Sequence, residues 1–342
     1  MSPRFLVPTP FSGGLILSYQ CSCECKHCMY FGTHAWKDGW IKEKNLREIL
    51  SLLSKVIKPS PLGKDRVSLN HGLHFTGGEP FLNYKILLKS IEIASELEIP
   101  SLFVETNCYW CKNDKITEKR LLELKNKGLQ GILISVNPFI LEHVPFERIE
   151  RAIKISNQLF KDNLMIYQLY YYVQFKNMKI KGILNFDDYL KLVKIEEVKR
   201  RVELFKMGRA AHELSFLYEK FPLKVFLNEN CKMELVRNWH CHFDLHGNYM
   251  PGYCGGFSWG DVRNLDLLSK KGIELEKYPI FNALINGKLK DLHELAVKNF
   301  NYQELRTGYV SKCHACFDIR KHLALKTNVY KELQPREFYF HS

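Results

Sequence analysis

No apolar run in the 342-residue chain approaches the roughly 20 residues that a membrane-spanning helix needs, so no transmembrane segment is expected. The opening MSPRFLVPTPF is mildly apolar, but Pro3, Pro8 and Pro10 interrupt it and no small-residue cleavage site follows, which argues against a signal peptide. A cytoplasmic protein is the expectation. The 50 basic residues outnumber the 37 acidic ones and leave a net charge of +13, yet they form no block. Their scatter suits a solvated surface as well as an anionic partner such as nucleic acid, anionic lipid, a phosphorylated substrate or an acidic peptide. Internal repeats and low-complexity linkers are absent too. With 46% hydrophobic and 25% charged residues, the composition is that of an ordered globular chain.

No cysteine falls outside four groups: Cys21, Cys23, Cys25 and Cys28; Cys108 and Cys111; Cys231, Cys241 and Cys254; Cys313 and Cys316. In a cytosolic chain, which has little use for disulfides, eleven clustered cysteines point to metal or redox chemistry.

Short β-rich runs alternate with helical patterns over the first 210 residues. Strands are expected at Leu15–Tyr19, Leu73–Thr76, Leu102–Glu105, Gly131–Val136, Leu164–Val173 and Val202–Phe205. Helices are expected at Leu46–Ile57, Lys85–Leu97, Thr117–Lys127, Arg148–Phe160 and Asp187–Arg200. Such alternation predicts an α/β fold with a parallel sheet, and six strand–helix units suggest a partial (β/α)6 barrel of the TIM type over residues 1–215. Residues 216–342 read as a small cysteine-rich domain. It contains a hairpin turning at Gly247-Asn248 between His242–Leu245 and Tyr249–Met250, and a helix near Lys288–Lys298.

Cys21, Cys25 and Cys28 have C-x3-C-x2-C spacing directly after the first expected strand. Three thiolates so close on one loop can hold a [4Fe–4S] cluster and leave one iron open. Here the sequence resembles the radical SAM superfamily, whose signature has this spacing and place, with an aromatic residue before the last cysteine; His27 stands there, and Cys23 is extra to the pattern. The resemblance implies that the open iron chelates S-adenosylmethionine. It implies too that an electron from a reductant such as ferredoxin or flavodoxin cleaves the cofactor, and that a 5′-deoxyadenosyl radical abstracts a substrate hydrogen. Thr76-Gly-Gly-Glu-Pro80, at the end of the second strand, matches the family's GGE motif, so Gly77, Gly78 and Glu79 are candidate contacts to the cofactor's amino group. By the same resemblance, the strand ends Glu105-Thr-Asn-Cys108 and Ser135-Val-Asn-Pro138 offer Thr106, Asn107, Ser135 and Asn137 for its ribose and carboxylate; helix capping or turn chemistry is the competing reading of all four. Met207-Gly-Arg209-Ala resembles a GRA element of relatives with a C-terminal cluster domain. Cys108-Tyr-Trp-Cys111 is either a redox pair, a set of extra cluster ligands, a relay through Tyr109, or two buried small hydrophobes.

Cys241 to Cys254, followed by Gly260-Asp-Val262, resembles the SPASM and twitch domains that carry auxiliary [4Fe–4S] clusters, the shorter twitch form fitting the cysteine count better. Cys254, Cys313 and Cys316 are the firm candidate ligands there, with Cys231 or Cys241 as the fourth. The reading is therefore an iron–sulfur oxidoreductase or maturase acting on a peptide, a small molecule or a lipid. Only 20 residues precede Cys21, which weakens a ribosomal-peptide role. The rival reading is a non-catalytic, zinc-bearing nucleic-acid binder, in which Cys25–Cys28 pairs with Cys313–Cys316.

Overall fold

The computed structural model describes residues 4–202 and 205–342. The chain divides into two compact units: residues 11–25 and 32–203, and the described parts of 1–10, 26–31 and 204–342. The boundary thus falls before the expected 215, and two short N-terminal segments join the C-terminal unit. Backbone pairing explains both: Phe5 and Ile273 exchange hydrogen bonds of 2.8 Å, and the amide of Arg209 donates to the carbonyl of Cys28 at 3.0 Å.

The first unit is an α/β layer on a five-stranded parallel sheet. Its strands are β1 (Ser12–Ser18), β2 (Gly72–Gly77), β3 (Phe103–Thr106), β4 (Gly131–Ser135) and β5 (Leu164–Tyr167), side by side in chain order. Between them run α1 (Glu43–Leu53), α2 (Tyr84–Glu96), α3 (Asp114–Asn126), the short α4 (Pro138–Leu141) and α5 (Phe146–Phe160). The crossover helices follow from their periodicity. On α1, Leu46, Ile49, Leu50 and Leu53 are buried at the i, i+3, i+4, i+7 spacing of one helix face. Asn83 and Asn113 start α2 and α3 with side-chain oxygens that accept from the amides of Ile86 and Ile116.

Two expectations change. The long strand expected over Leu164–Val173 stops at Tyr167, and α6 (Leu169–Asn177) follows, its aromatic residues packing as a helix face through Tyr171 and Phe175. The helix expected at Asp187–Arg200 is two, α7 (Phe186–Leu192) and α8 (Ile195–Arg201), because Val193 and Lys194 are extended. The sixth strand, expected at Val202–Phe205, lies partly outside the described residues, and neither Val202 nor Phe205 is in a strand.

In the C-terminal unit, α9 (Arg209–Glu213) and α10 (Lys232–Leu235) precede a hairpin of β6 (Cys241–Phe243) and β7 (Tyr249–Met250). The turn is wider than the expected two residues. The buried carboxylate of Asp244 accepts from the amides of His246 and Asn248, and so spans five residues. Then come α11 (Pro279–Ile285), α12 (Leu289–Phe300) and α13 (Lys312–Lys326). The core is aromatic: Trp259 stacks on Phe281 with centroids 3.7 Å apart and on Phe5 at 5.4 Å.

The paired glycines at the end of β2 are needed for space. The amides of Gly78 and Glu79 donate to the carbonyls of Ser18 and Gln20 at 2.8 and 3.0 Å, so this strand end lies against the chain leading into Cys21. A Cβ on Gly78 would overlap the Gln20 carbonyl, and Gly77 has φ of +126° with the Ser18 carbonyl against it. Gly78→Ala is therefore expected to destabilise the protein by about 1–3 kcal/mol, the usual cost of overpacking, read as a lower urea midpoint.

Candidate iron–sulfur sites

The loop after β1 carries Cys21, Cys23 and Cys25, all buried. The amide of Cys23 lies 3.4 Å from the Cys21 sulfur. Contact with Cys23 and burial push the Cys21 thiol well up. Cys23 itself interacts with both Cys21 and Cys25, so burial does not set the extra cysteine apart from its neighbours. Crowded, desolvated thiols resist ionisation one by one, and a bound cation reverses that by binding them as thiolates. The donor set therefore fits an iron–sulfur cluster.

Cys28 belongs to the other unit by its contacts. Gly208, at φ +57°, approaches the backbone of Cys28 and Met29 so closely that any Cβ would collide with it. Arg209 then bonds the Cys28 carbonyl and lays its guanidinium over Phe31, 5.7 Å from the ring centroid. Met207-Gly-Arg209-Ala thus seats the third cysteine of the loop. His27 is kept neutral by burial and by Arg209, its pKa lowered to about 4.

Beside the cysteine loop stands a buried carboxylate. Glu79 is 1% exposed and accepts from Thr106 Oγ1 at 3.0 and 3.1 Å, from the Asn107 amide at 2.8 Å and from the Phe81 amide at 3.1 Å. Burial holds its pKa up to about 7 against those donors. Asn107 sends Nδ2 to the Cys23 sulfur at 3.2 Å and lies 3.7 Å from that of Cys21. Thr106 is fully engaged, since its oxygen also accepts from the Cys108 amide and from Trp110 Nε1, each at 3.0 Å. Asn137 caps α4, accepting from the amides of Phe139 and Ile140. Asn107 thus touches the cysteine loop, while Ser135 ends β4 half-buried.

Strand register reveals a group that the sequence reading passed over. Glu105 pairs with Leu133 and lies on the same sheet face as His74 and Thr76. Thr76 donates to one of its oxygens at 2.6 Å, and His74 Nε2 is 3.5 Å from the other. Side chains alternate along a strand, so Glu105 and Thr106 necessarily face opposite ways. That alternation was the available signal, and Glu105 rather than Thr106 shares the partly exposed face with Ser135 and Tyr167.

Cys108 and Cys111 are fully buried, with burial and then Cys111 pushing the Cys108 thiol up. The intervening Trp110 stacks on Phe81 at 4.0 Å. The pair sits inside the loop that carries Asn107.

In the C-terminal unit, one cavity of about 100 Å³ is lined by Cys231, Cys254, Cys313 and Cys316. Cys313 and Cys316 share a face in the first turn of α13, which Ser311 caps. Cys231 precedes α10, and its amide donates to the Leu284 carbonyl. Burial pushes the thiols of Cys254 and Cys313 up to about 11 and 12. Cys241 does not line this cavity; its sulfur rests at 3.6 Å from the Tyr249 hydroxyl inside the hairpin. Gly260-Asp-Val262 runs back along the hairpin through backbone bonds to Tyr249 and Gly247.

Residues 15–144 match the family model described as a 4Fe-4S single cluster domain. No curated protein matches the chain in sequence. Solved structures with a similar trace include BtrN in complex with AdoMet and 2-DOIA, at 16% identity and a TM-score of 0.40 over 75% of this chain and 80% of that one. Native anSMEcpe with bound AdoMet gives 13% and 0.43 over 91% and 96%. SuiB of Streptococcus suis bound to S-adenosylmethionine gives 13% and 0.36 over 81% and 68%. At these identities and scores the likeness carries no assignment of residues or substrate.

If the Thr106 hydroxyl is a structural hub, Thr106→Val should cost about 1–3 kcal/mol, because it leaves buried partners unpaired, and should lower the urea midpoint whether or not S-adenosylmethionine is present. The cysteine loop after β1 and the GGEP strand both fall within residues 15–144, the part of the chain that matches the 4Fe-4S single cluster domain.

Proposed function

We propose that Cys21, Cys25 and Cys28 hold a [4Fe–4S] cluster with one open iron for S-adenosylmethionine, and that the protein uses the pair for hydrogen abstraction from a substrate. The observation that carries this reading is the joint placement of the cysteine loop and the GGEP strand, the second hydrogen-bonded to the backbone that delivers the first. When bound, the cluster supplies the electron for reductive cleavage of the cofactor. The chain's own residues supply the surroundings. Glu79 and Asn107 hold the loop, Gly77 and Gly78 keep side chains out of its approach, and Glu105 and Ser135 lie on a partly exposed face that a ligand could meet. No helix among the described residues is long and apolar enough to cross a membrane. Two of the structures with a similar trace were solved with a peptide, anSMEcpe with the Kp18Cys peptide and SuiB with the precursor peptide SuiA, and a peptide stands beside a small molecule or a lipid as a candidate substrate. Ferredoxin or flavodoxin remains the candidate reductant.

We further propose that Cys231, Cys254, Cys313 and Cys316 hold a second cluster. Four thiols around one cavity support it, and the engagement of Cys241 with the hairpin favours Cys231 as the fourth ligand.

Anaerobically reconstituted protein is expected to bind about eight irons with matching sulfide, four per cluster. Replacing Cys21, Cys25 and Cys28 together should leave about four. Cys25→Ala should abolish formation of 5′-deoxyadenosine from S-adenosylmethionine, while Cys23→Ala keeps most of it. Colourless protein loaded with zinc would instead favour the non-catalytic reading. For the second site, Cys231→Ala is expected to lower iron content in the background of the triple variant, and Cys241→Ala to leave it unchanged; the opposite result would exchange the two assignments.

A further inference from the structure

The cavity lined by Cys231, Cys254, Cys313 and Cys316 is also lined by Arg237, Lys312, Arg320 and Glu234. Lys312 and Glu234 largely cancel, paired at 2.8 Å. Arg320 is different. It lies on α13 one turn after Cys316 and two turns after Cys313, and it is 5% exposed. No carboxylate among the described residues pairs with it. Its Nη1 donates to the Gly255 carbonyl at 3.1 Å and to the Tyr339 oxygen at 2.9 Å. Its Nε is buried without a hydrogen-bond partner among the described residues. Phe257 and Phe317 cover the guanidinium, with ring centroids 5.0 and 5.7 Å away. A buried cation without a counter-anion is costly; Tyr339 offsets it first, and then the Cys316 and Cys254 sulfurs that line the same cavity.

A four-thiolate [4Fe–4S] cluster becomes more negative by one charge on taking up one electron. A fixed positive charge against its sulfurs stabilises the reduced form more than the oxidised one, and it does so strongly where water is excluded. The N-terminal thiols have a carboxylate as their neighbour: Asn107, whose side chain lies 3.7 Å from the Cys21 sulfur, gives its amide to the buried Glu79. We propose that Arg320 raises the reduction potential of the C-terminal cluster above that of the N-terminal one and acts as its positioning charge. The proposal rests on the reading of those four cysteines as cluster ligands.

The test is a dithionite titration of the anaerobic protein, followed by electron paramagnetic resonance. Wild-type protein should show two one-electron steps, and the higher should be the one that survives in the variant lacking Cys21, Cys25 and Cys28. In that variant, Arg320→Met should make reduction at least tenfold less favourable, a drop of about 59 mV, whereas Arg320→Lys should stay within about threefold of the parent. Arg320→Gln serves if the Met variant does not load iron. An unshifted potential, or a C-terminal step at or below the N-terminal one, overturns the proposal. Iron and sulfide content of the triple variant is read first: absence of a cluster there overturns the two-cluster reading, while a four-iron protein with an unshifted potential overturns only the role of Arg320.

Discussion

The carboxylate of Glu79 is the constraint on which the first unit turns. It lies where water cannot reach it, and it is tolerated there because three residues from two pieces of chain turn donors toward it. Those donors come from the start of the segment after β2 and from the end of β3. Satisfying one buried acid therefore fixes two strand ends against each other. Because Gly78 and Glu79 also bond the backbone before Cys21, the cysteine loop inherits that rigidity. Loss of any of these contacts would leave buried polar atoms unpaired and loosen the position of the thiols.

A second kind of constraint operates at the C-terminal cysteines. There the thiols share their cavity with Arg237, Lys312 and Arg320, and the one carboxylate that lines it, Glu234, is paired with Lys312. The two sets of thiols thus have differently charged neighbours. Desolvation amplifies both, since charges separated by protein instead of water interact over longer distances and with less screening.

Much of this was legible in the sequence. The parallel sheet followed from the alternation of β-rich runs with helical periodicity, and the first four strands fall within a few residues of their expected places. The cysteine spacing and the GGEP segment landed on the expected strand ends. The misses have physical causes. Aromatic residues at Leu169–Asn177 have high strand propensity, yet packing against Phe146 and Tyr189 makes the segment a helix. Thr106 was read from its place at a strand end, and the spacing gave no sign that its hydroxyl binds Glu79, the Cys108 amide and Trp110. Glu105 was overlooked because the motif was read as a run rather than as alternating faces. Residue spacing alone left Cys231 and Cys241 equivalent; in the fold Cys231 lines the cavity with Cys254, Cys313 and Cys316, while Cys241 contacts Tyr249 in the hairpin.

Cys28 shows how sequence neighbours can depend on distant chain. Cys21 and Cys25 lie in a segment that belongs with the sheet, while residues 26–31 are packed by Gly208, Arg209 and the helices beyond. During synthesis the first two thiols leave the ribosome just after their strand, β1. The third waits for residues encoded far downstream before anything holds its backbone. A chain cut short before residue 208 therefore carries all three cysteines without the seat for the last.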